Sequence, residues 1–194
     1  MDDLLKKIII FIDYQNVYKT SQNIFLKNNH IDISKISHKI IKKISFQTKL
    51  IEIRVYTGVP SKAIQPKSYW NTMKRFEKWK KDSNIIIQSR NLSYSKLNKE
   101  SDYFIPREKG IDVLIAVDLV SLAIDRKFDV AIIFSLDTDL KPALEYVKNS
   151  QPRAEIFVVA WRNKNSPPRR LSLTSNNPVC IWLNENDYLE SILS

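Results

Sequence analysis

The stretch Ile8-Ile9-Ile10-Phe11-Ile12-Asp13-Tyr14-Gln15-Asn16-Val17 runs five apolar residues straight into a carboxylate. A short apolar run that does not alternate in polarity reads as a strand covered on both faces, as strands of a parallel sheet are. Similar runs, rich in Ile and Val, recur at 50–56, 84–88, 130–135, 155–160 and 179–183. Between them lie helical spacings: Ile33, Ile36, Ile40, Ile41 and Ile44 form one stripe, and Trp70, Met73, Phe76 and Trp79 recur every three residues. Alternating strands and helices of this kind predict an α/β fold, a three-layer sandwich with a mainly parallel sheet. Functional sites in such sheets form beyond the carboxyl ends of the strands, where strand order reverses. Residues 1–194 read as a single domain, with 89–108 and 163–177 as loops and a last strand after the second of them. Residues 110–118 are apolar on nearly every side and predict a buried helix.

Composition narrows the function. The single cysteine, Cys180, excludes an intramolecular disulfide and the cysteine-rich zinc patterns, and a reducing, cytoplasmic setting is the default reading. The N-terminus has acids ahead of its basic pair and an apolar run far too short for a bilayer, so neither export nor a membrane is expected. Gly58 and Gly110 are the only glycines, so neither of the glycine-rich phosphate-cradling motifs can be written. Self-association into a homo-oligomer is left open by the sequence.

The net charge is +10. Residues 62–109 carry most of it, with twelve Lys and Arg against five Asp and Glu. Basic side chains there alternate with Tyr69, Trp70, Phe76, Trp79, Tyr94, Tyr103 and Phe104, the composition of a groove that tracks a nucleic-acid backbone and stacks bases. Lys62, Lys67, Lys74, Arg75, Lys78, Arg90, Tyr94 and Arg107 are the candidate contacts. The plain alternative is a solvated helix face in a Lys-rich chain.

Four acids fall where a site is expected. Asp13 closes the first strand, Asp137 and Asp139 follow the strand ending near Ser135, and Asp112 starts the helix after Gly110. Like charges gathered at one pole are tolerated mainly when a divalent cation neutralises them, and hard oxygen donors suit Mg²⁺ or Mn²⁺. Asp139 and Asp112 have a second reading as helix caps. Asp13 and Asp137 resist that reading best. Asn16 and Ser135 are suited to orienting a ligand, Lys109 to binding phosphate, and Asp118 reads best as a solvated or supporting residue.

In content, order and spacing, three blocks resemble the NYN-domain family, in its LabA-like branch: Phe11-Ile12-Asp13-Tyr14-Gln15-Asn16-Val17, then Glu108-Lys109-Gly110-Ile111-Asp112-Val113 with Asp118-Leu119, then Ser135-Leu136-Asp137-Thr138-Asp139-Leu140. NYN domains belong to the PIN-like nucleases, so the resemblance implies a Rossmann-like (PIN-like) sheet. It also implies an Asp13, Asp112, Asp137 and Asp139 cluster that is catalytic and holds Mg²⁺ or Mn²⁺, with Asn16, Ser135 and Lys109 around it. The implied activity is metal-dependent cleavage of RNA. The family usually has Gly where Leu136 stands and Phe where Leu140 stands, and a side chain at Leu136 is expected to tighten the turn carrying Asp137.

Rival readings are a catalytically silent RNA-binding or regulatory module, a haloacid-dehalogenase-like phosphatase and a deoxyribonuclease of the flap type. The phosphatase lacks chain after Asp139 for its later motifs, and Gln15 stands where its first block needs a second Asp. The flap-type enzymes carry extra DNA-gripping helices for which there is little room.

Overall fold

Lys6–Asp13 forms β1, the strand on which the molecule is organised. Ile8 to Ile12 have no solvent exposure because alternate residues enter two different cores. The computed structural model describes residues 5–96, 104–151, 153–165, 167–174 and 177–193. After β1 come α1 (Tyr14–Phe25), α2 (Ile33–Lys42), β2 (Thr48–Val59), α3 (Pro66–Trp79) and β3 (Ile85–Asn91). The hairpin strands β4 (Ser93–Lys96) and β5 (Phe104–Arg107) precede α4 (Ile111–Ile124), β6 (Val130–Phe134) and α5 (Lys141–Ser150). The chain ends with β7 (Glu155–Trp161), β8 (Val179–Leu183) and the short α6 (Glu185–Leu189).

Six strands form one sheet in the order β3-β2-β1-β6-β7-β8, and every pairing is parallel. Ile8, Ile10 and Ile12 pack with Val17, Ile36, Ile40 and Trp79 under α1, α2 and α3. Ile9 and Phe11 pack with Ile115, Leu119 and Leu144 under α4 and α5. Helices on both faces make the three layers expected of an apolar, non-alternating set of strands. Strand order reverses between β1 and β6, so their carboxyl ends, at Asp13 and Ser135, flank the crevice where such folds bind ligands.

Two expectations need correction. Part of the expected loop 89–108 is regular structure: β3 continues to Asn91, and β4 pairs antiparallel with β5. Tyr94 and Phe104, 6.5 Å apart edge to face, hold that hairpin. The helix α4 is not buried all round. Ile111, Ile115, Leu119 and Ala123 face the core, whereas Val113, Val117 and Ile124 are each more than half exposed. An apolar composition alone carries no information about which side faces inward. Residues 163–177 do form a loop in their described part, and it is anchored by Leu171 and Leu173 in the α4 and α5 core. Among the described residues no helix is long and apolar enough to cross a membrane.

Candidate functional site

At the carboxyl end of β1 the chain turns directly into α1, and the Asp13 carboxylate spans that junction. One oxygen accepts the Asn16 backbone N–H at 3.1 Å and caps α1, while the other accepts the Ser135 hydroxyl at 3.2 Å. Ser135, itself buried, accepts the Asp137 N–H at 3.0 Å, and the Asn16 side-chain oxygen accepts the Leu136 N–H at 2.9 Å. These bonds tie the ends of β1 and β6 into one unit. Asp137 also caps: its carboxylate accepts the Asp139 N–H at 3.0 Å and starts the 3-10 turn Thr138–Leu140 ahead of α5. Capping therefore accounts for one oxygen of each acid; the second oxygen of Asp13 accepts one hydroxyl, from Ser135, and a carboxylate oxygen has lone-pair capacity for a further partner.

A cleft of about 330 Å³ opens over this pole, lined by Asp13, Gln15, Asn16, Lys19, Glu108, Gly110, Ile111, Asp112 and Asp137. Gly110, at φ +70°, is the left-handed N-cap of α4, and it brings Asp112 into the first turn at the cleft. Asp112 is thus not itself the cap. Asp139 is exposed and is not part of the cleft lining, and it caps no helix. Lys109 is likewise exposed and outside the lining. Asp118 lies apart from the pole, where it accepts from Arg54 Nη1 and the Tyr56 hydroxyl, both at 2.8 Å. Its supporting role is to fix α4 against β2.

Glu108 and Lys19 are the residues that sequence reasoning left out. Glu108 accepts the Gly58 backbone N–H at 2.6 Å on β2. Gly58 is needed for this close approach: a Cβ there would lie 2.7 Å from the Glu108 carboxylate and 2.2 Å from the Leu92 side chain. Gly58→Ala is expected to push Glu108 out of place and reduce turnover about tenfold, since misplacing a reacting group by an ångström is costly. Steady-state kinetics together with circular dichroism, which should show an intact fold, checks this.

Burial is the main force on both central acids. It pushes Asp13 up from 3.8 to about 6, with Asp137 adding repulsion and the bonds from Asn16 and Ser135 opposing. Burial likewise pushes Glu108 up to about 7, opposed by the Gly58 N–H, with Asp13 adding repulsion and Lys19 attraction. A buried and a half-buried acid with one nearby Lys lack countercharge, and a bound cation would supply it. All the acid donors are hard oxygens, and no His or Cys lines the cleft, so the set fits Mg²⁺ or Mn²⁺ rather than zinc. Among the described residues no three Asp, Glu, His or Cys side chains form a ready-made cage. That still suits Mg²⁺, which keeps several waters and takes one or two carboxylates.

The sequence model of the NYN domain family matches residues 7–175. The chain belongs to the NYN family. NYN domains are of the PIN-like nuclease type, whose members characteristically use divalent metals. No curated protein matches. Among solved structures, a protein of unknown function from Vibrio parahaemolyticus RIMD 2210633 is similar in fold. Its TM-score is 0.54 and its identity 18%, and the match covers 82% of this chain and 83% of that one.

Leu136 stands where the family resemblance expects Gly, yet its backbone does not call for one. The described non-glycine residues with positive φ are Leu26 and Arg126, so Leu136 stands in ordinary backbone that needs no glycine. Its side chain lines a small apolar cleft with Ile24 and Pro167, away from the acids. Leu136→Gly is therefore expected to leave turnover within about twofold of wild type in a cleavage assay.

The basic surface also differs from the expected stacking groove. Phe76 and Trp79 are core residues, and the Tyr94 hydroxyl donates to Gln65 at 2.9 Å and accepts the Ser61 N–H at 2.8 Å. Trp70 is half exposed with the Lys62 ammonium 4.9 Å from its ring centre, and it is the clearest stacking surface among the described aromatic residues. Lys67, Lys74, Lys78, Arg90 and Arg107 are exposed, whereas Arg75 is buried. Tyr103 lies outside the described residues.

Proposed function

We propose that this NYN domain is a metal-dependent endoribonuclease that hydrolyses phosphodiester bonds in single-stranded RNA. The observation that carries the reading is a buried carboxylate, Asp13, at the reversal point of a parallel sheet, opening into a cleft that also holds Glu108, Asp112 and Asp137. A divalent cation, when bound, acidifies a water and stabilises charge on phosphoryl oxygens. Asp13 would hold it, with Asp112 and Asp137 as further donors. Ser135 and Asn16 keep Asp13 and the β6 turn in place, so the carboxylates need little rearrangement. Glu108, with its proton affinity raised to about 7, is suited to exchange a proton with water or a leaving oxygen at neutral pH. Lys19 supplies the positive charge that brings a phosphate to an acidic cleft. The exposed Lys and Arg of α3, β3 and the hairpin, with Trp70, form the face along which a strand would run.

The lack of a ready-made cage gives one competing reading its footing, a binding module without turnover. Incubating the protein with single-stranded RNA, duplex RNA and single-stranded DNA in Mg²⁺, Mn²⁺ and EDTA separates the two. Internal cuts in single-stranded RNA that require metal are expected. Binding without cuts under every metal condition would establish the module, and preferential cutting of DNA would assign a deoxyribonuclease.

A further inference from the structure

Beside the acidic cleft, and sharing Gln15, Gly58 and Glu108 with its surroundings, lies a second cleft of about 340 Å³ between α1 and α3. Its α3 wall is a stripe of polar residues one helical turn apart: Ser68, Asn71, Thr72 and Arg75. Tyr14, Tyr18 and His30 form the opposite wall.

Arg75 is the unusual member. It is only 8% exposed, and no carboxylate among the described residues pairs with it. Its neighbours are the face of Tyr14 at 5.0 Å, the face of Trp79 at 5.6 Å, the Thr72 hydroxyl at 3.2 Å and the His30 ring nitrogens at 3.1 and 3.2 Å. Among the described residues its Nε donor has no partner. Buried guanidinium groups are ordinarily paired with an anion, because a lone charge out of water is costly. Aromatic faces and a thin set of neutral acceptors compensate only part of that cost. Burial and the adjacent guanidinium hold His30 down to about 4, so at neutral pH the imidazole is uncharged and adds no competing cation. Tyr18 stacks on His30 at 4.7 Å with an interplanar angle of 19°, and Tyr14 bonds its Nδ1 at 2.9 Å, which fixes the ring. The arrangement is a donor-rich cleft in which Arg75 and Thr72 are buried, Ser68 and Asn71 are exposed, and the Glu108 carboxylate stands on the side shared with the acidic cleft.

We propose that this cleft is a phosphate subsite: Arg75, aided by Ser68, Asn71 and Thr72, binds one phosphate of the polynucleotide and so sets which neighbouring phosphodiester lies at Asp13. The inference rests on the nuclease reading for its role in positioning, while the anion site itself stands on Arg75 alone. Arginine suits it because the guanidinium fork matches two phosphate oxygens at once. The phosphate can be internal to a strand or a terminal 5′ group, and the test tells these apart.

The probe is inorganic phosphate, titrated into the full chain in EDTA and followed by tryptophan fluorescence, to which Trp79 beside Arg75 contributes, and by calorimetry. Arg75→Met is expected to weaken phosphate binding at least tenfold, and Arg75→Lys to weaken it less. Asp13→Asn, outside this cleft, should bind phosphate at least as well as wild type. Equal phosphate affinity of wild type and Arg75→Met overturns the proposal. If Arg75→Met does not fold, Arg75→Lys with unchanged affinity for both phosphate and single-stranded RNA overturns it instead. In cleavage assays Arg75→Lys should raise KM more than it lowers kcat and shift the cut position. A 5′-phosphorylated oligonucleotide that binds tighter than its 5′-hydroxyl form, only when Arg75 is present, assigns the terminal group; equal binding of the two forms, still lost with Arg75, assigns an internal phosphate. Phosphate binding that depends on Arg75 in a protein that cuts no RNA would leave the subsite standing and remove the nuclease. Metal-dependent cutting that is unchanged in KM and position by Arg75→Lys would do the reverse.

Discussion

Replacing Asp13 by Asn is expected to abolish RNA cleavage, by at least about 10³-fold, while making the protein more stable. The two effects share one cause. Asp13 is 7% exposed and its carboxyl is pushed from 3.8 to about 6, chiefly by burial. The native state therefore holds a proton up to a higher pH than the unfolded chain does. Between about pH 4 and 6 it binds more protons, so stability falls as pH rises through that window and stays reduced above it. The full penalty at neutral pH is about 3 kcal/mol. Asn keeps the shape and one oxygen to accept the Asn16 N–H; its NH2 group replaces the oxygen that accepts the Ser135 hydroxyl, so that bond must reverse, and the charge assistance of both bonds is lost. A net gain of about 2 kcal/mol, or about 6 °C in Tm for a chain of this size, follows in EDTA. Thermal melts across pH 4 to 7.5 check it: wild type should lose stability toward neutrality more steeply than the variant. A Tm lowered at pH 7.5 by Asp13→Asn would mean that the carboxylate is satisfied within the fold and is not held in strain for a ligand.

The second large effect is on cation affinity. A cation competes with the protons of Asp13, near 6, and Glu108, near 7. Both acids must ionise for full binding, so affinity for Mn²⁺ should rise with pH and level off above about 7.5. From pH 5.5 to 7.5 the apparent Kd is expected to tighten about a hundredfold. Glu108→Gln removes one of the two protons and should leave a dependence of about fourfold. Calorimetric titration in two buffers of different ionisation heat gives both the affinity and the number of protons released. Affinity that is flat across this range would place the cation away from these two acids.

The layered fold could be read from the chain because its strands are buried on both faces and so appear as uninterrupted apolar runs. Each of the six expected strands lies in the sheet, with ends displaced by a few residues. The place of Asp13 at the end of β1 was legible for a related reason, since a carboxylate closing an apolar strand stands out; that it also caps α1 was not, because the helix begins at the very next residue. Glu108 was not, since its burial comes from Gly58 on a strand fifty positions away, and no local pattern marks that approach. Asp139 read in sequence as a member of the cluster or as a helix cap, and it is neither: the bond from its own N–H to Asp137 starts a 3-10 turn that leaves its side chain exposed, and Asp137, which resisted the capping reading, is the cap. Arg75 was visible only as one more basic residue of a charged segment. Its inward direction follows from its place on the Ser68, Thr72 and Arg75 stripe of α3, which the three-residue spacing of the aromatic residues does not reveal.

End-labelled single-stranded RNA, incubated side by side with wild type and Asp13→Asn in Mn²⁺ and in EDTA, tests the central claim most directly. Wild type should cut the RNA in Mn²⁺ and leave it intact in EDTA, and Asp13→Asn should leave it intact in both. Cleavage that survives Asp13→Asn in clean protein would contradict the assignment of this carboxylate pole as the active centre.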